Sequence, residues 1–197
     1  MPTNVELKAL CAGGRDALDR VRVAALAAGA TPLGVDHQTD TYFRVTRGRL
    51  KLRQSTLDPG GGGAAVTLIP YLREDALAQV PRRSDYALLR ASPDEEGEAA
   101  RHLLATILGI ETVIVKRRES LALPPPTGSG FTVVLHLDDV ADLGAFVELV
   151  AVLRSDAAHP RATEAVRGWL ALLGLQPTDC CAGSYRELSV IRAASPR

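Results

Sequence analysis

The chain has 197 residues, 46% hydrophobic and 23% charged, which is ordinary globular usage and enough for one substantial domain or two small ones. Lysine plus arginine matches aspartate plus glutamate at 23 each, so the formal net charge is zero and no global field argues for nucleic acid or a membrane surface as partner. The three cysteines, Cys11, Cys180 and Cys181, have neither metal-ligand nor disulfide-framework spacing, and no signal-peptide pattern or spanning apolar run is present, so a soluble, cytoplasmic protein is expected.

The first predicted strand, near Thr3 to Cys11, contains Asn4-Val5-Glu6-Leu7-Lys8. Residues two apart in a strand share a face, so Asn4, Glu6 and Lys8 line one side and Val5, Leu7 and Ala9 the other. An acid beside a lysine suits a pocket for a metal ion and an anion better than it suits a core. A helix follows from about Asp16 to Ala28, with Leu18, Val21, Ala25 and Ala28 at helical spacing and Gly29 ending it. A strand through Val35–Val45 then turns at Thr46-Arg47-Gly48 into Arg49–Gln54, where Arg49, Lys51 and Arg53 alternate with Leu50 and Leu52.

Asp58-Pro59-Gly60-Gly61-Gly62-Gly63 reads as a connection, since neither Gly-Lys-Ser/Thr nor a helix follows as a phosphate loop requires. Strands at Ala65–Arg73 and Arg83–Arg90 lead to Ser92-Pro93-Asp94, which caps a helix from Glu95 to Leu108 closed by Gly109. Ile110–Leu121 is a long strand with Lys116 and Arg118 on one face. Pro124-Pro125-Pro126-Thr127-Gly128 turns it into Gly130–Leu137, after which Asp138 continues the face of His136. Gly144–Leu153 places Glu148 between Val147 and Leu149, and a helix from Arg161 to Leu173 carries Val166, Trp169, Leu170 and Leu173 as a packing side.

Any one of these alternating segments reads equally as a solvated strand face. Several in one domain point to charged faces that converge. A lone strand histidine such as His136 is more often structural than catalytic. Tyr42, Tyr71 and Tyr86 suit stacking on a base or packing in a wall. The order β-α-β-β-β-β-α-β-β-β-α, dominated by hairpins, predicts an α+β domain. Its largely antiparallel sheet closes, or nearly closes, into a barrel with charged faces inward and helices outside.

The opening motif, Arg49-Leu50-Lys51-Leu52-Arg53, Lys116-Arg117-Arg118 and His136–Glu148 resemble, in this order, the CYTH superfamily. This is the triphosphate tunnel group that contains class IV adenylyl cyclases and triphosphatases. Gln38–Phe43, Arg83–Tyr86 and Gly183–Leu188 resemble further segments of the cyclase-like bacterial members. The resemblance implies one CYTH-like domain over 1–197, an eight-stranded antiparallel tunnel with a C-terminal helical segment from about 160 to 197 packed on the barrel.

The family pattern assigns Lys8, Arg49, Lys51, Arg53, Arg73, Arg83, Lys116 and Arg118 to triphosphate binding. It gives Glu6, Asp138 and Glu148 to Mg²⁺ or Mn²⁺, and Asp138 with Lys8 to catalysis. The implied activity is cyclase-like, ATP to cyclic AMP and pyrophosphate. A triphosphatase and a catalytically weak polyphosphate- or nucleotide-binding protein are the alternatives. The implied partner is a nucleoside triphosphate or another triphosphate, with neither nucleic acid nor membrane, and an apolar outer sheet surface is compatible with a homodimer. Asn4 departs from the family's E-x-E-x-K: an amide oxygen coordinates but adds no charge, which weakens one metal position.

Overall fold

The computed structural model describes residues 3–58, 64–73, 80–91, 95–124, 128 and 130–194. The connections expected at 59–63 and 92–94, and most of the turn at 124–128, lie outside the described residues.

Nine strands and four α-helices occur among them: β1 Thr3–Leu10, α1 Gly14–Ala27, β2 Thr31–Phe43, β3 Arg49–Leu57, β4 Ala65–Arg73, β5 Arg82–Tyr86, β6 Leu89–Ala91, α2 Glu95–Leu108, β7 Ile110–Leu123, β8 Phe131–Val140, β9 Gly144–Leu153, α3 His159–Leu172 and α4 Tyr185–Ala194. Strand order is β3-β2-β7-β8-β9-β1-β5-β4, and β3 pairs with β4, so eight strands close into an antiparallel barrel. β6 is an extra strand on β4. The single strand expected at 83–90 is thus two, with β5 pairing at Tyr71–Arg73 and β6 at Val66–Leu68.

The main apolar core lies outside the barrel. Val5, Leu7 and Ala9 of β1, Leu121 and Leu123 of β7, and alternate residues of β8 and β9 meet Leu18, Val21 and Ala25 of α1 and Ala162, Val166 and Leu170 of α3. Burying such side chains stabilises by about 1.5–3 kcal/mol each, which fixes which strand face turns outward. A second cluster sets Phe43, Leu52 and Val66 beneath Ala100, Leu104, Ala105 and Leu108 of α2.

A third cluster is inside the barrel, at the end where α4 enters: Tyr42, Ile114, Val140, Phe146 and Tyr185. Among the described residues, no helix is long and apolar enough to cross a membrane.

Candidate functional site

With one face spent on the outer cores, the strand period of two turns the charged face inward. β1 contributes Asn4, Glu6 and Lys8, β3 Lys51 and Arg53, β4 Ile69, Tyr71 and Arg73, and β7 Lys116 and Arg118. These, with His136 and Glu148, line one cavity of about 180 Å³. Six cations and two carboxylates share that lining. A closed small barrel is normally filled by its side chains, and this one is filled by charge.

The carboxylates organise the cations. Asp138 is fully buried. Arg118 grips it as a fork, Nε to Oδ1 at 2.7 Å and Nη2 to Oδ2 at 2.5 Å. The same Nη2 donates to Glu148 Oε2 at 2.6 Å, and Lys8 Nζ donates to Glu148 Oε1 at 2.5 Å. Arg73 pairs with Glu6 and donates to Ser84 Oγ at 3.2 Å. Burial pushes the Glu148 carboxyl up, but Lys8 and Arg118 outweigh it and hold it well below the ordinary range. Burial and Arg118 likewise drive Lys116 well below the usual lysine range, and burial with Arg53 brings Lys51 down to about 8. His136, its Nδ1 2.9 Å from Ser120 Oγ, falls to about 3 through burial and then Arg118, so it is a neutral wall residue.

Three of the expected residues sit elsewhere. Arg83 lies on the outer face. β5 pairs with β1 so that Arg82 faces Glu6 and Arg83 faces Val5, and residues opposite one another share a side. Arg83 therefore pairs with Asp85 and Asp156, while the buried Arg82 donates to the Cys181 carbonyl at 2.8 Å. Arg49 points inward but at the mouth, where it pairs with Glu187 and lines a neighbouring pocket with Arg47, Tyr71 and Tyr86. Asp138 is beneath the cavity wall, with both oxygens engaged. Unlike Glu148, it is absent from the cavity lining, and that position is unsuited to the metal and proton-transfer roles the family pattern implies.

Two groups of residues were not legible as part of the site. Asp40 of β2, 1% exposed, accepts from Arg53 Nε at 2.7 Å, Arg53 Nη2 at 2.8 Å and Lys51 Nζ at 2.9 Å. The start of α4 is the other. Tyr185 enters the barrel, its hydroxyl donating to Asp138 Oδ2 at 2.6 Å and its ring lying 3.9 Å from Lys8 Nζ. Gly183, at φ 92, makes the turn that lets Glu187 Oε2 accept from the Ser184 hydroxyl at 3.0 Å. Both segments resemble the family, but neither has a periodicity that announces an inward contact.

Asn4 Oδ1 is buried without a hydrogen-bond partner on the face it shares with Glu6. Among the described residues, no three histidine, cysteine, aspartate or glutamate side chains converge as a metal-binding group.

No protein-family model matches the sequence. No curated protein matches it either. Solved structures do. The PH1819 protein of Pyrococcus horikoshii is similar at a TM-score of 0.70 and 20% identity, over 96% of this chain and 99% of that one. A proposed adenylate cyclase of Vibrio parahaemolyticus is similar at 0.63 and 15% identity, over 95% and 97%. Another, from Bacillus halodurans, is similar at 0.51 and 15%, over 99% and 100%. At these identities the likeness shows the fold alone, the eight-stranded antiparallel barrel with its outer helices.

Proposed function

We propose that the barrel binds a nucleoside triphosphate by its phosphate chain and acts on it, with a divalent metal ion, as an adenylyl cyclase does. The observation that supports this reading is the cavity inside the barrel lined by Lys8, Lys51, Arg53, Arg73, Lys116 and Arg118. Its volume of about 180 Å³ is below the roughly 300–1,000 Å³ of pockets that enclose a drug-sized ligand. A phosphate chain suits that space, with the organic group left at a mouth.

A triphosphate brings about four negative charges. Charge-assisted hydrogen bonds contribute about 1.5–3 kcal/mol each, and six cations supply enough of them to offset its desolvation.

Glu6 and Glu148, with the orphaned Oδ1 of Asn4, form an all-oxygen donor set that fits Mg²⁺ or Mn²⁺. Mg²⁺ needs only one or two protein carboxylates, its other positions going to water and phosphate oxygens. Bound by these oxygens, such an ion would supply positive charge to neutralise the phosphate oxygens. The chain's own work is positioning. Lys8 and Arg118, held by Glu148, present fixed positive charge to the chain, and Asp138 orients Arg118 from behind. The ribose 3′-oxygen attacks the α-phosphorus as the bond to pyrophosphate breaks, with release of the hydroxyl proton. In-line transfer asks little more of a protein than this alignment and charge.

A second reading, binding without turnover, is favoured by Asn4 and by the pairing of Glu6 and Glu148 with cations. Incubation with ATP and Mn²⁺ followed by product separation decides between them. Cyclic AMP with pyrophosphate is the expected result. ADP with phosphate would make the protein a triphosphatase, and intact ATP despite measurable binding would make it a binding protein.

A further inference from the structure

We propose that Asp40 is a positioning residue of the tunnel, a fixed internal counter-anion that aims Arg53 and Lys51 into the cavity and holds their charge there. The inference rests on the reading of the cavity as a polyanion site. Nothing in the opening motif or the metal-side carboxylates involves this residue.

Asp40 accepts three hydrogen bonds, as many as Asp138 does. β2 places it directly opposite Arg53 on β3 and Ile114 on β7, so it stands behind the cavity lining rather than in it. Its two oxygens take both donors of the Arg53 fork and the Lys51 ammonium, and Lys116 Nζ lies 3.7 Å from Oδ2. A guanidinium has five N–H donors and an ammonium three. Asp40 therefore fixes each head group with a minority of its donors, and the rest stay available to a ligand.

A buried charge of this kind is tolerated only where its hydrogen bonds are saturated, which also makes the arrangement rigid. Burial pushes the Asp40 carboxyl up, but Arg53, Lys51 and Lys116 outweigh it and keep it well below the ordinary range, so it is an anion throughout the neutral region.

Lys51 depends on that anion. The groups facing it are Arg53 on its own strand, Asp40 and the Tyr42 ring on β2, and Arg118 on β7. Burial, Arg53 and Arg118 all disfavour its charge, and among the described residues Asp40 is the carboxylate that opposes them. Removing Asp40 therefore makes Lys51 give up its proton at a lower pH than about 8.

This opposes the simplest electrostatic expectation. Deleting a negative charge near a polyanion site should tighten polyanion binding. If Asp40 positions Arg53 and Lys51, its deletion weakens binding instead, and the weakening depends on pH.

The test is calorimetric titration of the full chain with inorganic tripolyphosphate from pH 6 to 9. The wild type should bind with an affinity that falls as pH rises through about 8. Asp40→Asn should bind about tenfold or more weakly at pH 7.5, since aligned charge-assisted bonds are lost. It should recover part of that loss at pH 6, where Lys51 is charged again, and its alkaline fall should begin earlier. Asp40→Glu keeps the charge but displaces the fork, so it should weaken binding while leaving the pH of the fall in place, which covers the case in which Asp40→Asn does not fold.

Binding by either variant as tight as wild type across the range overturns the proposal. So does an Asp40→Asn loss that is the same factor at every pH, which would indicate a structural role alone. A wild type that fails to bind tripolyphosphate overturns the polyanion reading itself, a result distinguishable from these.

Discussion

At the scale of single residues, the site depends on which cation each carboxylate neutralises. Glu6 is tied to Arg73, and Glu148 to Lys8 and Arg118. If these two acids hold a metal ion, Glu6→Gln and Glu148→Gln should each cut turnover by on the order of 100-fold, because a neutral amide is a poor ligand for a hard cation. ATP affinity measured without metal should hold or rise, since a charge of the ligand's own sign has gone. Full turnover in Glu6→Gln would remove β1 from the metal site. The alternation of Asn4, Glu6 and Lys8 made this face readable from the chain alone. Asp40 was not readable in that way: an acid among threonines on a strand is indistinguishable from a solvated position until β3 closes over it.

At the scale of elements, every assignment depends on strand parity, since a slip of one residue exchanges the two faces. The structure puts Lys51 in the cavity and Leu52, 1% exposed, beneath α2. Lys51→Ala should therefore weaken triphosphate binding with little effect on unfolding, whereas Leu52→Ala should cost about 2–5 kcal/mol in denaturant unfolding and spare the affinity of the folded fraction. The opposite pattern would mean that β3 is out of register by one. Arg83→Ala should leave triphosphate affinity unchanged, since that side chain lies outside with Asp85 and Asp156. Parity was legible where apolar and charged residues alternate strictly, as in Arg49–Arg53. It failed at Arg82-Arg83, where two adjacent arginines give no alternation, and the pairing of β5 with β1 decides which turns inward. α4 was legible only as part of a helical C-terminal segment, because Tyr185 and Glu187 are positioned by contacts with β3 and β8, far away in sequence.

For the whole molecule, closing the barrel brings like charges together that an open sheet would keep in solvent. The apolar cores outside the wall supply the stability that permits this, and burial beside arginines disfavours the charge on the cavity's lysines: Lys51 is down to about 8 and Lys116 well below the usual lysine range. A polyanion reverses that, because each lysine then gains an opposite charge at contact distance. Ligand binding and stability should be coupled in consequence. Tripolyphosphate or ATP at about 100 times its dissociation constant should stabilise the fold by roughly 2.7 kcal/mol, and AMP, with one phosphate to share among the same cations, by much less. The pH dependence has a definite sign. Below about pH 8 Lys51 already carries its proton in the free protein. Above that, binding must first recharge it, so at a fixed ligand concentration the shift in melting temperature should shrink as pH rises from 7 to 9. Lys51→Arg, whose guanidinium does not titrate in this range, should flatten that decline. Differential scanning fluorimetry across this pH range with tripolyphosphate, ATP and AMP reads all of it. Equal shifts for AMP and triphosphate would count decisively against a tunnel built for a phosphate chain, and a shift that grows with pH would mean that the lysines facing the cavity are not the groups that meet the ligand.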